Sequence, residues 1–168
     1  MPKIGLRIIK SAVAVFLCLL IGVVRGGAGM PFYSAIAAVL CMQPDVKNSL
    51  KVAINRIIGT LIGGLCGMLM LMLLRWGLPE LPVLVECLLI SGALIPLMYI
   101  TVLIKKPAAT YITCVVFLSV TVSHGIDLVP YAFALNRMLD TLIGILVSLG
   151  INVLPFWRND KNDKKEKE

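Results

Sequence analysis

The sequence predicts an all-α, polytopic membrane protein with six transmembrane helices arranged as a 3+3 inverted repeat. Three observations carry that prediction. Hydrophobic residues make up 59% of the 168-residue chain, with a mean hydropathy of +0.95. That is far more apolar surface than one soluble core of this length can bury. Charges are clustered: 57–74 and 81–104 together hold a single acidic or basic residue, Glu86. Finally, N-R-x-x-x-T-L-I-G occurs twice, as NRIIGTLIGG at 55–64 and NRMLDTLIGI at 136–145, 81 positions apart.

The apolar segments fall at 6–24, 30–43, 53–75, 82–104, 107–124 and 132–156, near the length a bilayer demands. The first follows Lys3, Arg7 and Lys10 and precedes Ala28-Gly29, as a signal peptide would. Arg25 lies between the apolar run and that small-residue pair, which favours an uncleaved helix. The second and fifth are short. Met30 to Met42 rises only about 20 Å against a hydrocarbon core of roughly 30 Å. Pro31 and Pro107 open these two segments, as proline suits a first helical turn. The third carries Gly59, Gly63 and Gly67, overlapping G-x-x-x-G motifs that predict a close-packed face. Glu86 near the start of the fourth complements a helix N-terminus. The sixth places Asp140, Gly144, Ser148 and Asn152 on one stripe. Such polar groups are unsatisfied in lipid, so the stripe must face protein or water.

Loop charges set the expected orientation. With the N-terminus cytoplasmic, thirteen Lys and Arg residues lie inside, and Arg25, Arg75 and Arg137 outside. The C-terminal tail supplies five of the thirteen, and the bias survives their removal. Trp76 and Trp157, at the ends of the third and sixth spans, fit an interfacial belt. Residues 1–156 thus form the membrane domain, with halves near 5–75 and 82–156. Residues 157–168, mixed in charge and without apolar residues after Trp157, read as a disordered cytoplasmic stub. The tail resembles no nucleic-acid motif.

Three helices per half is an odd number, so the second half enters the membrane from the opposite side. Arg56 then lies at the cytoplasmic mouth of the third helix and Arg137 at the outer mouth of the sixth. A buried arginine in a span costs roughly 2.5 kcal/mol or more, which makes a repeated one a functional candidate. Short segments in matching positions of two inverted halves point to a transporter or channel path. The candidate path residues are Arg56, Thr60, Arg137, Asp140 and Thr141, together with Thr110, Thr113 and His124 of the fifth helix. Hydroxyls and one imidazole can line an aqueous route without the cost of a charge. His124 reads either as an interfacial residue or as a proton relay. Asp140 replaces the glycine found at 59 in the first copy. Three residues from Arg137, it reads either as a local ion pair or as an outer gate. Gly59, Gly63, Gly67 and Gly144 read as packing residues. Cysteines 18, 41, 66, 87 and 114 show no metal-binding or disulfide spacing and read as helix-packing residues. No nucleotide-binding loop, HExxH or GxSxG is present, so the chain reads as neither an ATPase nor an enzyme, and no cofactor is implied.

The stretches GLRIIKSAVAVFLCLLIG, FYSAIAAVLCMQPDVKNSLKVAINRIIGTLIGGLCG and NRMLDTLIGILVSLGIN resemble the aromatic acid exporter and fusaric acid resistance superfamily, closest to the aromatic acid exporter family 1 type. The resemblance covers about residues 5–156, and its most specific element is Asn55–Gly63. It implies a six-helix inner-membrane unit that works as a homodimer and moves organic anions, typically aromatic carboxylic acids, out of the cell. Arg56 and Arg137 are the positions it assigns to anion contact. Many relatives continue into a sizeable cytoplasmic domain, where this sequence has the short stub. The competing expectation is a non-transporting scaffold or accessory subunit, packed through the glycine face.

Overall fold

The computed structural model describes residues 5–26, 29–77, 81–122 and 130–154. His124, Trp157 and the charged stub lie outside the described residues. Among the described residues six α-helices follow one another: α1 (Leu6–Val24), α2 (Pro31–Cys41), α3 (Val46–Met72), α4 (Val83–Leu103), α5 (Thr110–Thr121) and α6 (Pro130–Val153). A π-helical turn, Leu73–Gly77, prolongs α3, and a 3-10 turn, Pro107–Ala109, leads into α5. No strand occurs among the described residues. Among the described residues four helical stretches are long and apolar enough to cross a membrane: Leu6–Val24, Val46–Gly77, Val83–Leu103 and Ala132–Val153. The second and fifth expected spans are shorter than that. The 11 residues of α2 rise only about 16 Å.

Helix ends follow local chemistry. α1 stops where Gly26 adopts a left-handed φ of +63° and donates its N–H to the Val23 carbonyl at 3.0 Å. α4 stops the same way with a lysine. Lys105 takes φ +58°, its N–H reaches Val102 at 2.9 Å, and the Lys106 N–H reaches Thr101 at 3.0 Å. Pro107 follows and forbids continuation. α3 begins at Val46, a full two turns before the expected 53, because Asp45 caps it. Asn48 donates its side-chain amide to Asp45 Oδ1 at 2.8 Å and its backbone N–H to Oδ2 at 3.1 Å. These bonds, the side-chain one first, hold the Asp45 carboxyl below the usual carboxylate range.

The chain folds as two compact units, 1–54 with 139–168 and 55–138. Within the first, α1 packs on α2, and Ala14, Cys18, Ala38, Met42 and Ile151 form a core of mostly small side chains. The Pro31 ring fills the space that a β-carbon on Gly22 would take. Gly144 of α6 meets α2 backbone to backbone, where a β-carbon would overlap the Ser34 carbonyl and the Ala37 methyl.

Within the second unit, α4 packs on α5. The glycine ladder of α3 lies against α5 as its spacing predicts. A β-carbon at Gly59 would meet the Ala109 carbonyl, at Gly63 the Thr113 carbonyl, and at Gly67 the Val120 side chain. Above this seam, Met70, Leu74, Leu97 and Phe117 form one apolar cluster, and Leu71, Val116, Val120 and Ala134 another. Of α4 only Leu97 and Thr101 are buried, and residues such as Leu84, Leu88 and Ile95 are exposed, as befits a lipid-facing span. None of the five cysteines forms a disulfide among the described residues, and Cys18 and Cys41 are buried in the small-residue packing.

Candidate functional site

The polar stripe of α6 is buried throughout: Asp140, Gly144, Ser148 and Asn152 all face protein within the first unit. Twelve residues separate its ends, about 18 Å along the helix. At each end stands a polar station.

At one end the Asp140 carboxylate, only 2% exposed, holds the connection between α1 and α2. Oδ1 forms an ion pair with the Arg25 guanidinium, and Oδ2 accepts the Met30 backbone N–H at 2.8 Å. Gly29, at φ +88°, gives the carboxylate its room. A β-carbon there would stand 2.7 Å and 2.9 Å from the two oxygens. The charge that balances Asp140 across the unit is therefore Arg25, 115 positions away in sequence.

At the other end Lys10, 7% exposed, donates from Nζ to Asn152 Oδ1 at 3.1 Å. Asn152 in turn donates from Nδ2 to Ser49 Oγ at 2.8 Å and to the Gln43 carbonyl at 3.2 Å. Ser49 Oγ also accepts the Gln43 N–H at 3.1 Å. Arg7 joins this end by donating from Nε to the Met42 carbonyl at 2.9 Å. One asparagine thereby ties α1, α3 and the end of α2 to α6, and satisfies an ammonium held away from water.

The two motif arginines belong to the second unit. Arg56 on α3 is 6% exposed and Arg137 on α6 is 5% exposed. Gly64 of α3 takes the Met138 side chain of α6 against its backbone. Met138 adjoins Arg137, whereas Arg56 lies eight residues before Gly64, about 12 Å along α3. Along the helices, the two motif positions thus lie about two turns apart within one unit. Thr60, one turn beyond Arg56, is buried, and its hydroxyl finds no hydrogen-bond partner among the described residues. Thr113 donates to the Ala109 carbonyl at 2.9 Å, and Thr110 shares a 2.6 Å hydrogen bond with Thr101. Thr141 is buried in the first unit beside Asp140.

The expected path residues therefore divide. Arg56, Thr60, Thr110, Thr113 and Arg137 share one unit; Asp140, Thr141 and Gly144 share the other. Sequence reasoning missed Lys10, Arg25, Ser49 and Thr101 as site residues. Lys10 and Arg25 entered it only as flanking charges, weighed for orientation and for signal-peptide character. Their signal was position: each touches an apolar run at a depth where a lone charge needs a partner. Among the described residues no group of acidic, histidine or cysteine side chains could hold a metal ion.

Arg56 and Arg137 are thus buried in the same helical unit, and a guanidinium is a group that can bind carboxylates through paired N–H donors. A family model described as fusaric acid resistance protein-like matches residues 10–151. No curated protein and no solved structure is significantly similar to the chain.

Proposed function

The chain belongs to the fusaric acid resistance protein-like family, and from that premise we propose that it is a transporter or channel subunit for small organic anions, aromatic carboxylates first among them. It is a multi-pass membrane protein with all-helical spans. The observation that carries the proposal is the burial of Arg56 and Arg137, the two copies of one motif, in a single compact unit. Guanidiniums recognise carboxylates through paired, charge-assisted hydrogen bonds, so two of them in one unit favour an anionic substrate over a neutral or cationic one. The family's description, which names resistance to an organic acid, points the same way. Export from the cell, placement in the inner membrane and function as a homodimer complete the reading.

The 3+3 inverted arrangement belongs to the same proposal. Two features support it. Gly144 and Gly63 are 81 positions apart, as their motifs are, and each abuts a backbone carbonyl of a short helix, Ser34 and Thr113 respectively. Each short helix, α2 and α5, also packs on the long helix that precedes it. On this reading α2 and α5 are half-length helices whose ends lie within the bilayer, the usual setting of a transport site. The positive-inside bias places both termini in the cytoplasm, with the Lys10 station inside and the Arg25 station outside.

Uptake or release of radiolabelled benzoate by proteoliposomes tests the proposal. Wild-type protein gives flux, and Arg56→Ala or Arg137→Ala reduces it at least tenfold, the order expected for losing one charge-assisted contact of about 1.5–3 kcal/mol. Equal flux in both variants removes the arginines from the mechanism. No flux above empty vesicles for a panel of monocarboxylates and dicarboxylates rejects the anion reading.

A further inference from the structure

The Asp140 carboxylate is held as a free carboxylate would be held. Its oxygens divide between a guanidinium and a backbone N–H, the donor types that recognise carboxylates in binding sites. The holder is shaped as well as charged. Gly29 combines a left-handed φ with an absent β-carbon that would crowd both oxygens, so two constraints keep that spot open. Helix packing does not account for the acid. The first copy of the motif has Gly59 at the equivalent place, and α3 packs there without any carboxylate. The two partners also differ in access: Asp140 is closed off, whereas the Arg25 side chain is 23% exposed and open to a solute.

We infer that Arg25, the Met30 amide and the open space at Gly29 form a carboxylate-binding site occupied at rest by the Asp140 side chain, and that a transported carboxylate takes that side chain's place. The second clause rests on the anion-transport reading; the first does not. Displacement exchanges one carboxylate for another on the same donors, so the charge facing Arg25 is unchanged, and the displaced Asp140 carboxylate must turn out to water because a second buried anion would be unpaired. It also releases the Met30 N–H and the Arg25 guanidinium from the α6 carboxylate. Asp140 acts as a tethered competitor that sets how much free anion is needed to open the site.

Chemical rescue tests this. Asp140→Gly, which installs the first copy's residue, vacates the holder. Its thermal unfolding in detergent is compared in sodium acetate, sodium formate and sodium chloride at equal ionic strength. For a site of about 10 mM affinity, 100 mM acetate favours the folded state about tenfold, and chloride gives no such gain. Wild type, with the occupant in place, and Arg25→Gln/Asp140→Gly, with the holder broken, show no acetate-specific gain. If Asp140→Gly is not recovered in chloride, it is purified in 100 mM acetate throughout. Recovery there alone supports the site; failure in both salts, or equal rescue by chloride, overturns it. Benzoate flux through wild type is read separately. Rescue without flux keeps the site and removes the transport role; flux without rescue removes the site and leaves the transport reading standing.

Discussion

Replacing Asn152 by Leu should destabilise the protein far more than replacing its partner Lys10 by Met. Asn152 makes three hydrogen bonds: it accepts from Lys10 at 3.1 Å and donates to Ser49 at 2.8 Å and Gln43 at 3.2 Å. In Asn152→Leu the two amide-donated bonds vanish, each contributing about 0.5–1.5 kcal/mol. The larger loss is the ammonium, left in a buried position without its acceptor. Stranding a buried charge costs about 3–5 kcal/mol, less whatever the four-carbon stem recovers by bending toward the helix mouth. The sum is about 3–6 kcal/mol. Lys10→Met removes the charge along with its desolvation cost and leaves only one amide oxygen unsatisfied, about 1–2 kcal/mol. The double variant should then be more stable than Asn152→Leu by about 2 kcal/mol, because no charge is stranded. Reversible unfolding of the four proteins in mixed micelles, followed by helical circular dichroism, measures the cycle. If Asn152→Leu lies within about 1 kcal/mol of wild type, or if Lys10→Met fails to rescue it, then the buried ammonium does not depend on this asparagine.

Gly144→Ala should cost about 1–3 kcal/mol, because the added methyl meets the Ser34 backbone rather than a movable side chain. Gly150→Ala, on the same helix with open space around it, should be neutral or stabilising by up to about 1 kcal/mol. Gly63→Ala and Gly92→Ala form the same contrast in the second unit, and the same unfolding assay reads all four. The Asp45 cap gives a pH dependence of known sign. A folded-state pKa lowered by Asn48 adds stability above the unfolded value of about 3.9, lost as pH falls through the folded value. Hydrogen exchange in the first turn of α3, corrected for intrinsic rate, should accelerate as pH falls below about 4 in wild type and show no such step in Asp45→Ala.

What the sequence revealed, and what it hid, follows from the range of each interaction. The glycine ladder of α3 was legible because a four-residue period fixes a helix face, and only a close neighbour needs a face without β-carbons. The burial of the α6 stripe was legible for the complementary reason, since its polar groups have no partner in lipid. The start of α3 was misplaced toward its apolar centre. Lys47 and Lys51 looked like loop charges, whereas the Asp45–Asn48 cap carries the helix past them. The partner of Asp140 was hidden. Periodicity points to Arg137, three residues away, and gives no hint of the ion pair with Arg25 across the unit. No local pattern encodes a contact between residues 115 positions apart. The Lys10 cluster was hidden likewise, its charge having been read for topology and signal-peptide character alone.

The division of the chain between its two units sets an order of assembly. The unit formed by 55–138 is one unbroken stretch, so a growing chain possesses all of it once Met138 has been made. The other unit is split, and α1 and α2 must wait for the segment after Leu139. During that wait Lys10 lacks Asn152, from which 142 positions separate it, and Arg25 lacks Asp140. Contacts of such long range close late and leave polar groups exposed to lipid or to the insertion machinery until they form. Biogenesis of this protein therefore has its vulnerable interval before the segment from Leu139 onward is made, in α1 and α2 rather than in the unit already complete.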